Sequence, residues 1–278
     1  MHPEQQLSIA RNSEGATSMA VISQVGGALD QLSLKGVPII DSSGVQGIES
    51  MFFGSVLAPW PNRLANHSYS FSGQTYSTPN IDADNNSNHG LISNRQLELV
   101  AHLPDRLELA YQFGEDESYP FDVRLSITYE IFEDLLRVTA LADNLGKTAP
   151  FGLGFHPYFL AGENFRVSAN FTKKIIANHR MIPTSQIDIS GFEYVTGAID
   201  DCYAGAKQVL LETDHASATI SLEKGFEYFM LYRPSEAGKS LLAIEPMSCL
   251  ANAFNSDLPS VILEAGAKKE YAFSIRKN

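Results

Sequence analysis

Between Phe121 and Ile131 the chain alternates without a break. Phe121, Val123, Leu125, Ile127, Tyr129 and Ile131 are apolar, and Asp122, Arg124, Ser126, Thr128 and Glu130 between them are polar. Successive side chains of a strand point to opposite faces, so this segment reads as a strand with one face in a core. A helix would scatter the same apolar residues around its circumference. The pattern recurs at Leu97–Leu103, at Leu107, Leu109, Tyr111 and Phe113, and at Tyr271, Phe273 and Ile275. Turn-forming residues separate these runs. Pro104-Asp105-Arg106 lies between two of them, Asp143-Asn144-Leu145-Gly146 follows Leu135–Ala142, and Ser72-Gly73-Gln74 punctuates a hairpin begun at Tyr69.

Short strands at this spacing predict an all-β fold, a large antiparallel β-sandwich or barrel with few short helices. No long amphipathic helix and no strand–helix alternation is visible, which argues against Rossmann and TIM architectures. No Pro/Gly/Ser-rich linker interrupts the chain, so residues 1–278 read as one domain. With 278 residues, 44% hydrophobic and 19% charged, such a chain hides roughly 70–75% of its unfolded surface.

Charge narrows the partners. Twenty Lys and Arg against 32 Asp and Glu give a net charge of −12. With no basic run, nucleic acid and anionic lipid surfaces are poor partners. Cys202 and Cys249 are the only cysteines, too few for a disulfide scaffold and not spaced as a metal clip. The polar start Met1-His2-Pro3-Glu4-Gln5-Gln6 has no basic segment leading into an apolar one, and no apolar run reaches the ~20 residues of a membrane helix. The expectation is a cytoplasmic protein. Oligomeric state is not legible.

Four segments break the strand pattern with clustered polar residues. The first, Ala58-Pro59-Trp60-Pro61-Asn62-Arg63, holds the only Trp, whose face suits a sugar ring or a core. Arg63 beside it offers a rigid fork of donors. In the second, His89 closes the polar run Asp82-Ala83-Asp84-Asn85-Asn86-Ser87-Asn88. The Asp/Asn spacing hints at calcium, but no bidentate Glu follows at the EF-hand position. The third places His156 in the apolar run Pro150–Phe159, where Pro157 biases it away from helix and Gly154 permits close approach. The fourth delivers Glu245 after Leu241-Leu242-Ala243-Ile244 and before Pro246, which reads as a buried strand carrying a carboxylate. Burial there would raise its pKa and make it a better base. Plainer readings stay open: a surface loop around Arg63, an exposed His89, a core His156 held by a carbonyl, and a Glu245 paired with an Arg. Asp200-Asp201 is a weaker acidic pair. No nucleophile elbow, zinc-protease helix, dinucleotide fingerprint or phosphate loop is present.

In their order these segments resemble the aldose 1-epimerase (galactose mutarotase) family, in its shorter bacterial-type branch. The likeness runs from about Val21 to Ile275. It rests on Asn62-Arg63, Asn88-His89-Gly90, Tyr119-Pro120-Phe121, Gly154-Phe155-His156-Pro157-Tyr158-Phe159, Asp200, Ile244-Glu245-Pro246-Met247 and Asn252-Ala253-Phe254-Asn255. The resemblance implies a β-supersandwich that binds a sugar on a concave face. It implies Glu245 as general base, His156 as general acid and His89 as a second histidine near the ring oxygen. Arg63 and Asn62 would bind the sugar, and Asp200 or its neighbour Asp201 would grip ring hydroxyls. Anomer exchange of a free aldohexose would then need no cofactor and no metal. Three other activities compete. A hexose-6-phosphate epimerase would need a cationic pocket, for which Arg95 is the nearest candidate. A silent sugar-binding module would not need an acid/base pair. Glycoside hydrolysis would need two carboxylates flanking a bond.

Overall fold

The computed structural model describes residues 5–13, 15–43, 45, 51–233 and 241–278; the polar start Met1–Glu4 lies outside them. The chain is all-β. Among the described residues, two large sheets dominate, and the only α-helices, Ala253–Ser256 and Leu258–Val261, have four residues each.

The larger sheet contains nine strands. In spatial order they are Glu98–Leu103, Arg106–Gln112, Val123–Ile131, Leu135–Asn144, Lys268–Lys277, Ser217–Lys224, Gln208–Thr213, Phe165–Ala169 and Phe192–Tyr194. Val123–Ile131 alternates buried and half-buried along its whole length, as its sequence demands. Leu107 and Leu109 point to the same core. The turn after Phe71 uses two residues, Ser72 and Gly73, both at positive φ, and Gln74 already belongs to the returning strand.

Two strands depart from simple alternation. Leu97 is buried, but Leu99 and Leu103 face solvent. Glu98–Leu103 is the edge of the sheet and carries a register shift between Leu99 and Ala101, and such a bulge re-aims the side chains that follow it. Lys268–Lys277 lies at the centre of the sheet. There Ala272 and Ser274 are buried along with Tyr271, Phe273 and Ile275, so both faces are covered.

The second sheet runs Pro183–Asp188, Lys173–Ala177, Ile199–Ala204, Tyr228–Arg233, Leu241–Met247, Gly154–Phe155 and Val56–Leu57, with Tyr158–Leu160 also paired to Leu241–Met247. One of its faces packs on the nine-stranded sheet. Phe155 meets Phe273 at 4.9 Å between ring centroids, and Leu231 and Ile244, paired across two strands, join the same apolar core. Its other face carries Glu245 and Asp200. A further four-stranded sheet runs in chain order from Gln6–Ser13 to Val37–Asp41.

Candidate active site

Strand pairing gathers the site. Gly154 pairs with both Leu57 and Met247, which sets the segments leading to Asn62, His156 and Glu245 side by side. A side chain at Gly154 would bring a Cβ within 2.8 Å of Pro61 Cβ, so the strands can close up only over a glycine. Arg63 pairs with Asn88 in a two-residue ladder and brings His89 alongside.

Register then decides which side chains share the open face, because directly paired residues project to the same side of a sheet. Ile175, Cys202, Met230 and Glu245 form one row across four strands. Asp200, Tyr232, Ala243 and Tyr158 form the row two residues along. Above these rows lies a cleft of about 370 Å³ whose walls include Asn62, Arg63, His89, His156, Asp200 and Glu245. All six residues expected from the sequence therefore line one cavity. Asp201 does not line this cleft, and its carboxylate lies 2.8 Å from Lys174 Nζ. Of the two neighbours, Asp200 is the one that lines the cleft.

Glu245 and His156 are in contact, with His156 Nε2 3.4 Å from Glu245 Oε1. Among the described residues neither His156 Nδ1 nor Glu245 Oε2 has a hydrogen-bond partner. Buried polar atoms are normally paired, so this pair has unmet capacity for a ligand. Burial pushes the Glu245 carboxyl well above its usual range; nearby Asp200 adds to this and Arg63 opposes it. Burial likewise lowers His156 to about 3. Both shifts favour the uncharged forms, a protonated Glu245 and a neutral His156 imidazole. The His156 ring stacks on Tyr158 at 4.8 Å.

His89 is fixed by a reciprocal pair. Its backbone N–H donates to Asn62 O at 3.0 Å, and the Asn62 N–H donates to His89 Nδ1 at 3.3 Å. An Nδ1 that accepts must be unprotonated, so the ring proton of neutral His89 is on Nε2. Burial, then the neighbouring His156 and Arg63, hold its pKa well below the usual value. His89 is therefore a neutral donor. Its ring packs on Phe52 at 4.6 Å.

Arg63 is the one Lys or Arg among the described residues that line the cleft. Its Nε donates to Asp82 Oδ2 at 3.1 Å and its Nη1 to Asn62 Oδ1 at 3.3 Å. Asp82 in turn accepts from the Asn86 backbone at 2.8 Å and from the Asn86 side chain at 3.3 Å, and Arg180 donates to Asn86 Oδ1 at 2.9 Å. Partial burial raises the Asp82 pKa, but the Asn86 and Arg63 hydrogen bonds outweigh it and the net shift is downward. The run that resembles a calcium loop is thus a cradle for Arg63.

Asp200 is raised by burial and by Asp201 against the pull of Arg63. Among the described residues no donor reaches its carboxylate, and Asn62 Nδ2 has no acceptor. Trp60 resolves to the core: it is buried against Tyr69 and Phe254. Sequence reading missed Phe52, Met230 and Tyr232 in the cleft, and no motif marks them. Tyr158 stood in the His156 run and could have been found there.

Residues 10–276 match the aldose 1-epimerase family. The chain belongs to that family. It is 26% identical over 274 residues to the uncharacterized protein YihR of Escherichia coli K12, covering 92% of this chain and 89% of that one. Its fold matches the GalM/aldose epimerase homologue from C. elegans, with a TM-score of 0.82, 18% identity and 98% of each chain covered. It also matches the galactose mutarotase related enzyme from Lactobacillus acidophilus, with a TM-score of 0.80, 17% identity, and 98% of this chain and 97% of that one covered. As an aldose epimerase homologue it has a β-sandwich of the galactose mutarotase type. No helix among its described residues is long and apolar enough to cross a membrane.

Proposed function

We propose that this chain, acting as one catalytic unit, interconverts the α and β anomers of a free aldohexose. The observation that carries this reading is the buried contact between His156 and Glu245 at 3.4 Å, on the wall of a cleft large enough for one pyranose. Anomer exchange needs an acid and a base addressed to two atoms of one ring, O5 and O1.

The active form has the proton on His156 and Glu245 ionised. It carries the same net charge as the resting pair and differs only in where one proton sits. Sugar hydroxyls entering the cleft resolvate the carboxylate and favour that form. Glu245 takes the proton of the C1 hydroxyl while His156 donates one to the ring oxygen. The C1–O5 bond breaks and C1 becomes an aldehyde carbon. Rotation about C1–C2 presents the other carbonyl face, and the reverse transfers close the ring and restore both groups. His89 Nε2–H donates near the ring oxygen, Arg63 and Asn62 hold ring hydroxyls, and Asp200 accepts from one.

The reading is tested by following the optical rotation of freshly dissolved α-D-glucose and α-D-galactose. Added protein should speed the approach to an unchanged end point. Glu245→Gln should lower kcat by about 10²- to 10⁴-fold, the usual range for loss of a general base. A folded Glu245→Gln protein with ordinary turnover would remove Glu245 from the mechanism. The phosphosugar alternative is not favoured, because Arg95 lies 3.8 Å from Asp116 and does not line the cleft.

A further inference from the structure

The cleft has a side alcove of about 120 Å³ that shares Asn62, Asp200 and Met230 with it. Its floor continues the row that begins at Glu245. Beyond Met230 come Cys202 and Ile175, and Met181, Met247 and Leu250 supply further apolar surface. Asp201 also borders the alcove but is already paired with Lys174. For a site expected to hold a polyhydroxylated ring, this lining is unusually rich in thioether and alkyl groups, which adapt to small apolar substituents.

The neck of the alcove is polar in a specific way. Asn62 Oδ1 accepts from Arg63 N–H and Nη1, which leaves Nδ2 as a donor without an acceptor among the described residues. The Asp200 carboxylate is an acceptor without a donor. One free donor and one free acceptor, followed by an apolar recess, complement a secondary amide with a short alkyl tail.

Topology says which carbon would bear that group. His156 lies on one side of the Leu241–Met247 strand, and Met230, Cys202 and the alcove lie on the other. With C1 over Glu245 and the ring oxygen toward His156, the other neighbour of C1, which is C2, points toward Met230. We propose that the substrate of this site carries an acylamino group of acetamido size on the carbon next to the anomeric centre, with its N–H on Asp200, its carbonyl on Asn62 and its methyl in the alcove. This rests on the anomer-exchange reading above.

The test compares sugars that differ only at C2: 2-acetamido-2-deoxy-D-glucose against D-glucose, and the matching galactose pair. In at least one pair the acetamido sugar should have the higher kcat/KM by about tenfold, within the range that pocket contacts of this kind discriminate. Ratios below about threefold in both pairs overturn the proposal. Titration calorimetry with Glu245→Gln reads the same preference as a ratio of Kd values. If no sugar is interconverted, the anomer-exchange reading fails and the Kd ratio alone decides the alcove. Cys202→Phe, which fills the alcove, should cut the preference about tenfold. Leu250→Trp, at another half-buried position of the wall, fills the same space should Cys202→Phe not fold. An unchanged preference in the folded variant overturns the assignment to this alcove.

Discussion

His156 Nε2 and Glu245 Oε1 stand 3.4 Å apart, with side-chain exposures of 5% and 2%. Two ionisable groups this close and this dry titrate as a pair, and their protonation is coupled to folding.

Stability should fall on the acid side because of the imidazole. Folded His156 titrates near 3 against an ordinary value of 6.5, so between these values the unfolded chain binds a proton that the folded chain refuses. This contribution is full above pH 6.5 and is lost as pH falls toward 3. Glu245 works with the opposite sign: its raised value gives a contribution that is full below the ordinary 4.5 and is lost as pH rises through the folded value. Urea midpoints across pH 3.5 to 6.5, roughly that window, should therefore slope less steeply with pH in His156→Gln than in the parent. His89, also lowered, keeps some slope in the variant. Equal slopes would contradict a neutral buried His156.

Asp82→Ala should weaken sugar binding more than chemistry. Asp82 holds Arg63 Nε at 3.1 Å and touches neither His156 nor Glu245. Loss of one charge-assisted hydrogen bond of about 1.5 kcal/mol corresponds to roughly tenfold in KM, with kcat within about threefold. Steady-state kinetics of anomer exchange separates the two constants. A proportionate fall in kcat at constant KM would show that Arg63 acts in the transition state alone.

Gly90→Ala should be among the more damaging single-methyl changes in the chain. Gly90 has φ +70°, and a Cβ there would lie 2.1 Å from Ala58 O. Strain and clash together should cost at least about 2 kcal/mol, a fall of roughly 4 °C or more in Tm. Gly73→Ala is the control: it has φ +80° with nothing within 4 Å of the added methyl, so it carries strain without a clash. Thermal unfolding of both variants should rank Gly90→Ala well below Gly73→Ala, and equal losses would assign the whole effect to φ.

Strands whose surroundings are ordinary were legible residue by residue. Val123–Ile131 has a neighbour on each side and one covered face, so its period-two pattern and its burial coincide. Leu97–Leu103 has the same pattern but sits at an edge with a bulge, and its last two leucines face water. Lys268–Lys277 alternates in sequence yet buries Ala272 and Ser274, because a central strand covered on both faces needs small residues where its sequence offers them. In each case the strand itself was readable and its place in the sheet was not.

The site divides in the same way. Asn62, Arg63, His89, His156, Asp200 and Glu245 stood out as polar residues set into apolar or turn-rich runs. Asp82 and Asn86 looked like solvated loop residues, because nothing local records that Arg63 reaches one and Arg180 the other. Trp60 could have been a sugar platform or core, and only packing against Tyr69 and Phe254 decided it.

The sequence by itself determined the strand-forming periodicity, the turns and the chemical types available for proton transfer, since these depend on side-chain alternation and local backbone preference over a few residues. Tertiary structure decided which strand became an edge, that Asp200 faces the cleft while Asp201 turns to Lys174, and that Met230, Cys202 and Ile175 extend the floor from Glu245. These depend on pairing register between strands distant in the chain, and on the desolvation that such pairing brings, neither of which a local pattern encodes.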